Sequence, residues 1–360
     1  MHLRRIALQN FRNIAWAELA PAPAGAALIG ANAQGKTNFL EAVGLLTALR
    51  SFRQTDNRLL ITHGQPEAAL RFELEHERFG STTVTIRLRP EAKEVQLDAT
   101  PVARFGEFLG RFPTVLFSSQ DNQLIRGGPA ARRRWLDLVL AAMDPSYLDA
   151  LQRYHRALEG RNRLLKDRAD AAQLAAFEQP LAAAGAAVVQ ARAAGIAEIG
   201  VRLRGAYATI APQLEVADLA YEQDVAETDE SALAELFAAN RERDQQLRAT
   251  TRGPHRDDID LTLDGRSSRD FGSEGQQRSL VLALRLAQLA HFRERSGVRP
   301  VVLADDVLGE LDAARRARFW TAIEPGTQVF ATGTAPPEGA SPAWTVFRVE
   351  HGTFAAENAP

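Results

Sequence analysis

The sequence predicts an α/β fold: a mixed sheet around a phosphate-binding loop, antiparallel β structure beside it, and an inserted, mainly helical lobe. Three observations predict it. Gly30-Ala31-Asn32-Ala33-Gln34-Gly35-Lys36-Thr37 spells Gly, four residues, Gly, Lys, Thr between an apolar run, Ala26 to Ile29, and a helical pattern that begins at Asn38. Segments of alternating polarity stand on both sides of that loop, as half-buried strands do. From Pro129 to Arg248 the spacing turns helical, and alternation returns at Thr250. The boundaries drawn from this are residues 1–125 and 250–360 for the two parts of a nucleotide-binding lobe and 126–249 for the helical insert.

A chain of 360 residues with 45% apolar and 24% charged content is an ordinary globular composition, long enough for two domains or one with an insertion. Its net charge of -2 supplies no global basic field, so a nucleic-acid partner would need a local patch. Lysine occurs only at positions 36, 93 and 166, so nearly all of the 43 cationic residues are arginine. Arginine suits bidentate phosphate contacts, and a genome-wide preference explains it equally well. Cysteine is absent, which excludes disulfides, thiol chemistry and a Cys-based zinc site. Met1 to Arg5 runs directly into an alternating segment without a signal-peptide core, and no run of about 18 apolar residues follows. These features predict a cytoplasmic protein with no membrane partner.

Leu3 to Leu8 and Ile14 to Leu19 read as two strands joined by the polar turn Gln9 to Asn13, and this hairpin leads into the phosphate-loop strand. Leu70 to Glu75, Thr82 to Leu88 and Glu94 to Leu97 read as further antiparallel strands, and Thr114 to Phe117 as a short apolar one. Pro129 sits where a first helical turn tolerates proline, and Trp135, Leu136, Val139, Leu140 and Met143 follow at helical spacing. Helices are expected over Pro145 to Arg168, over Ala169 to about Tyr207 with an interruption at Pro180, and over Asp229 to Arg248. No sustained heptad is present, so these are bundle helices. The clusters Arg132-Arg133-Arg134 and Arg161, Arg163, Lys166, Arg168 are either solvated helix faces or a DNA-backbone patch. Ile259, Leu261 and Leu263 alternate into a turn at Asp264-Gly265, and a helix is expected from about Ser279 to Phe292. Pro300 to Asp306 reads as a buried parallel strand ending in two carboxylates. A helix from Asp312 and two last strands, Thr327 to Thr332 and Trp344 to Val349, close the chain.

The glycines let successive loop amides face one anion, and the helix behind them points its positive end at the same place. Lys36 would reach the β- and γ-phosphates, and Thr37 would place its hydroxyl on a bridging Mg2+. Asp305 is placed as the magnesium partner through water and Asp306 as the group that orients the attacking water. Ser273-Glu274-Gly275-Gln276 at a helix start is a second anion-binding device or a plain N-cap. Its place after the helical insert and about thirty residues before the carboxylates favours the first.

That order and spacing resemble the ATPase head shared by ABC-type proteins, with Ser273 to Gln277 as the signature. Within that superfamily the chain resembles the RecF family of bacterial DNA replication and repair proteins over essentially its full length. The residues that carry this are Asn10 to Asn13, Gly30 to Asn38, Gln120-Asp121 through Gly127-Gly128-Pro129, Gly253 to Asp258, Glu274 to Arg278, and Leu303 to Asp306 with Glu310 to Asp312. The resemblance implies an ABC-type ATPase head that dimerises with ATP, each signature capping the nucleotide in the other chain's phosphate loop. It implies binding to single- and double-stranded DNA, slow DNA-stimulated ATP hydrolysis, and work with RecR and RecO in loading RecA at gaps. Residue by residue, it puts Arg12, Asn13, Gly30, Ala31, Asn32, Ala33, Gln34, Gly35, Lys36, Thr37 and Asn38 at the nucleotide. Gln120 becomes the γ-phosphate-sensing loop residue and a metal contact beside Thr37 and Asp305, and Ser273, Gly275 and Gln276 reach across the dimer.

Two departures stand out. Ser119 precedes Gln120 where most relatives are expected to carry proline. Val329 to Thr334 lacks the histidine of ABC transporters, so Thr332 or Thr334 takes its place and slow turnover follows. A transporter subunit is disfavoured by the opening hairpin, and a Rad50- or SMC-like protein by the short insert. A DNA-binding module with a vestigial ATP site stays open.

Overall fold

A computed structural model of the chain describes residues 1–53, 56–211, 215–226, 229–336 and 343–357. These residues form two compact units. The first comprises Met1–Asp121, Ala208–Pro212 and Leu282–Pro360, and the second Asn122–Tyr207 and Gln213–Val281.

In the first unit, β1 (His2–Phe11) and β2 (Ile14–Leu19) pair antiparallel across Arg12-Asn13, a tighter turn than the expected five-residue one from Gln9 to Asn13. After β3 (Gly25–Ile29) and the helix Lys36–Ala48 come β4 (Ala68–His76), β5 (Gly80–Leu88), β6 (Lys93–Leu97), β7 (Thr100–Pro101) and β8 (Thr114–Ser118). The strands β2-β1-β4-β5-β6-β7 make one antiparallel sheet. In the second unit β9 (Ala217–Glu222), β10 (Asp258–Leu263) and β11 (Arg266–Ser267) form a small antiparallel sheet. The chain then returns to the first unit for β12 (Val301–Asp305), β13 (Val329–Gly333), β14 (Thr345–Glu350) and β15 (Thr353–Glu357).

The second sheet of the first unit runs β15-β14-β3-β13-β12-β8, parallel from β14 to β8 with β15 antiparallel at its edge. Every residue of β3 and β12 is buried, as expected of parallel strands covered on both faces. The Lys36–Ala48 helix shares one core with the two sheets through Phe39, Leu40, Val43, Leu46, Leu8, Phe72, Leu303 and Phe330. Burying such side chains is the dominant favourable term, roughly 1.5–3 kcal/mol each. The mixed α/β architecture is the one the sequence predicts.

Several elements differ from expectation. Ala171–Ile210 is one helix straight through Pro180, because the ring lies on an exposed turn while Leu174, Leu181, Val188 and Ile199 on the other face are buried. By length and composition this helix could cross a membrane, but half of its most apolar stretch is buried within the protein. Glu230–Ala239 and Arg241–Leu247 are two helices, because Asn240 leaves helical geometry and turns its amide back onto Leu236 O at 2.8 Å. The helix expected from Ser279 begins earlier, at Glu274, and a final strand, β15, follows the last two predicted. The segment 250–281, expected with the nucleotide-binding lobe, clusters in the second unit because β10 pairs with β9 along its whole length.

The arginine clusters divide: Arg132 and Arg161 are buried and Arg133 is half-buried, whereas Arg134, Arg163, Lys166 and Arg168 are exposed. Arg132 is 1% exposed and grips Asp258 with two bonds of 2.7 Å, while Arg133 donates to the Asp257 carbonyl at 2.6 Å. Arg161 is fully buried between Glu178 and Asp244, while the other three of its cluster, Arg163, Lys166 and Arg168, are exposed. The Gly253 to Asp258 stretch is therefore a structural knot. Asp257 accepts from Arg192 at 3.2 Å and from the Tyr221 hydroxyl at 2.6 Å. His255 presents Nε2 to the Thr250 carbonyl at 3.0 Å, so that nitrogen carries the proton and Nδ1 accepts from the Tyr154 hydroxyl at 2.8 Å.

Burial holds the His255 imidazole below its ordinary value; the Thr250 carbonyl and Asp224 oppose this, and Arg256 and Arg133 add to it. The unfolded chain therefore takes up the proton first, and stability, complete above about pH 6.5, falls as the pH drops below it. The thermal midpoint is expected to decline from pH 7 to 5.5, less steeply in His255→Gln. Parallel slopes in the two proteins would assign the decline to other groups.

Candidate functional site

The phosphate loop leaves the end of β3 in a conformation its glycines permit. A Cβ on Gly30 would stand 2.3 Å from the Val349 carbonyl oxygen of β14, and Gly35 has φ +118° with Asn13 Oδ1 3.0 Å from where a Cβ would go. Ala33, at φ 65°, is the second residue of the run at positive φ. Lys36, 4% exposed, curls back so that Nζ donates to Gly30 O at 2.7 Å and Ala31 O at 3.1 Å. Asn32, Ala33, Gly35, Lys36, Thr37 and Asn38 face a cavity of about 440 Å³ together with Asn13, Arg53 and Asp306.

The central sheet brings the carboxylates to the loop. β12 lies between β8 and β13, with Asp305 in register with Ser118. Thr37 Oγ1 donates to Asp305 Oδ1 at 2.8 Å, joining the first helix to the carboxylate strand across 268 positions of sequence. Thr332, on β13, accepts the Asp306 amide at 2.8 Å and has Asp305 Oδ1 at 3.0 Å and Asp306 Oδ1 at 3.2 Å. Of the two threonines, Thr332 is the one that contacts the carboxylates, and Thr334 is exposed. Asp306 takes φ 54°, a strained left-handed turn that aims its amide at Thr332. Burial raises the Asp305 carboxyl above its ordinary value; Thr37 and Thr332 pull it down, and the charge of Asp306 pushes it up.

Not every expected residue joins the site. Arg12 does not line the cavity: its guanidinium forms a fork with Glu41 at 2.9 and 2.8 Å. Glu41 is fully buried on the Lys36–Ala48 helix and also binds Ser51 and Arg53. Asn13 does belong, accepting from Asn38 Nδ2 at 2.8 Å and donating to Gln34 O at 3.2 Å. Gly30, Ala31 and Gln34 shape the loop from behind the lining. Gln120 sits exposed on the turn after β8, beside the strand of Asp305, and does not line the cavity. That turn is fixed by Arg285, which forks onto Asp121 at 3.0 and 2.5 Å.

Ser273, Gly275 and Gln276 belong to the second unit. Ser273 Oγ accepts from the Gln276 amide at 3.3 Å and Gln276 Oε1 accepts from the Ser273 amide at 2.6 Å, a reciprocal capping box at the start of the Glu274–Ser296 helix. The plain N-cap reading is therefore realised, and Ser273 remains exposed. Gln277 Nε2 pins the approach to this helix through Ser268 O at 2.8 Å.

Sequence reasoning missed Arg53 and Glu41. A lone acid inside the apolar run Phe39-Leu40-Glu41-Ala42-Val43 was the available signal for Glu41; Arg53 carries none.

The residues present fit a magnesium nucleotide. Thr37 and Asp305 offer hard oxygen donors, Asp305 is a buried carboxylate that gains from a cation, and Lys36 and Thr37 line the cavity beside them.

The sequence profile of the RecF/RecN/SMC N terminal domain matches residues 2–336. The chain is 38% identical over 341 residues to the DNA replication and repair protein RecF of Geobacter metallireducens, covering 93% of each. It is 39% identical to that of Desulforudis audaxviator, covering 92% of this chain and 94% of the other. Among solved structures, the recombination mediator protein RecF-ATP of the RecFOR pathway superposes with a TM-score of 0.89 at 28% identity, over 99% of this chain and 97% of that one. An Smc head bound to the C-winged helix domain of ScpA shares the fold, with a TM-score of 0.55 at 14% identity over 99% and 98%.

Proposed function

The chain belongs to the RecF family, and from that premise we propose an ATP-dependent DNA-binding protein of recombinational repair and replication, a slow ATPase that dimerises on DNA. The observation that carries the ATPase reading is the 2.8 Å bond from Thr37 to Asp305, which joins the phosphate loop to the carboxylate strand beside Lys36. ATP lies along the amides of Asn32 to Thr37, and Lys36 exchanges the carbonyl oxygens of Gly30 and Ala31 for phosphate oxygens. Thr37 and Asp305 would hold a Mg2+ ion, which would supply charge neutralisation at the phosphates. Asp306 orients the attacking water, and Thr332 fixes both carboxylates without supplying a titrating imidazole, which keeps turnover slow.

Ser273 keeps its hydroxyl proton while its oxygen caps the helix, so it can donate to a phosphate held by a second copy. Two copies thus close over two nucleotides and grip single- or double-stranded DNA, in the cytoplasm, with RecR- and RecO-type mediators and toward RecA loading at gaps.

Asp306→Asn is expected to lower ATP turnover at least 100-fold while ATP affinity changes less than threefold, the signature of an interaction made in the transition state. Steady-state and single-turnover hydrolysis with and without DNA measure this. Unchanged turnover would mean that another group activates the water.

A further inference from the structure

A loop whose amides face an anion must turn its carbonyls away, and those carbonyls need partners. Gln34 meets that need through the last hairpin of the fold. β14 and β15 are joined by the two-residue turn His351-Gly352, in register Glu350 to Thr353, with φ of 48° and 78°. Both central residues at positive φ make a primed turn, in which the two central amides have no ladder partner and ordinarily go to water. Here both go to one residue: His351 N donates to Gln34 Oε1 at 2.7 Å and Gly352 N donates to Gln34 O at 2.8 Å. Asn13 Nδ2 adds a bond to the same carbonyl at 3.2 Å. The fit is close, since a Cβ on Gly352 would stand 2.2 Å from Asn13 O.

We propose that the His351-Gly352 turn is a clamp on the phosphate loop, with Gln34 as a positioning residue that couples nucleotide occupancy to the terminal hairpin. This rests on the nucleotide reading above and extends it to residues outside the motif. The side chain and carbonyl of Gln34 are spent on the turn, which holds the neighbouring amides of Gly35 and Lys36 toward the cavity. Because coupling between two sites is reciprocal, nucleotide must tighten the turn as much as the turn tightens nucleotide.

Two variants and one measurement on the unmodified protein test this. Gln34→Met keeps the side chain's length and removes the acceptor, and Gly352→Ala opens the turn from the other side. Each is expected to raise the Kd for a fluorescent ADP analogue about tenfold, with KM for ATP rising more than kcat falls. In the wild type, hydrogen exchange at the His351 and Gly352 amides slows when ATP is added, and in Gln34→Met that response is lost at His351. A Kd within twofold of wild type in both variants, or wild-type exchange at this turn that ignores ATP, overturns the clamp. If the wild type binds no nucleotide at all, the reading beneath it fails and the clamp fails with it.

Discussion

Lys36→Ala is expected to weaken ATP binding by about 100-fold or more and to abolish ATP-induced association. The ammonium is the charged side chain most deeply placed in the loop, 4% exposed and already held by two loop carbonyls, so little ordering is needed when phosphate replaces them. A hydrogen bond from a charged donor contributes roughly 1.5–3 kcal/mol, and each 1.4 kcal/mol is about tenfold in affinity. Arg53 faces the same cavity but is 36% exposed at its side chain and shared with Asn38 and Glu41, so Arg53→Ala should cost only a few-fold. Calorimetric titration of the three proteins with ATP measures both. A Lys36→Ala Kd within tenfold of wild type would show that the backbone amides suffice.

The second large effect is on stability. Arg161→Met should destabilise the protein by about 3–5 kcal/mol, the usual cost of removing one partner from a buried ionic network. Arg161 donates to Asp244 at 2.6 Å, Thr250 at 2.9 Å, Glu178 at 3.1 Å and the Phe237 carbonyl at 3.1 Å, and its guanidinium lies 5.6 Å from the Phe237 ring centre. Arg241 remains for Glu178, but Asp244 would keep a buried oxygen without a cation. Arg163→Met, on the same helix but exposed, should stay within about 0.5 kcal/mol of wild type. Urea unfolding of the pair reads the difference directly. Equal midpoints would return Arg161 to the surface role its sequence suggests.

That contrast marks what could and could not be read from the chain. Gly30 to Thr37, the run Val301 to Asp306 and the capped helix start at Ser273 were legible because each is a local pattern with a local physical cause. Arg132 and Arg161 were not, because an arginine on a helix looks the same in sequence whether it faces water or a carboxylate 126 or 83 positions away. Pro180 misled for a related reason: a proline lowers helix propensity everywhere, yet packing of Leu174, Leu181 and Val188 carries the helix through it. Arg12 was placed at the nucleotide by resemblance, and only Glu41, buried 29 positions on, explains where its guanidinium goes. The turn at His351-Gly352 could be foreseen as a turn, but its grip on Gln34 spans 317 positions and leaves no periodic trace.

Sedimentation velocity in saturating ATP, for the wild type and for Ser273→Arg, tests the shared-nucleotide account most directly. The wild type should sediment as a dimer, and Ser273→Arg should remain a monomer that still binds ATP with wild-type affinity. A wild type that stays monomeric, or a Ser273→Arg variant that pairs as readily as its parent, would contradict it.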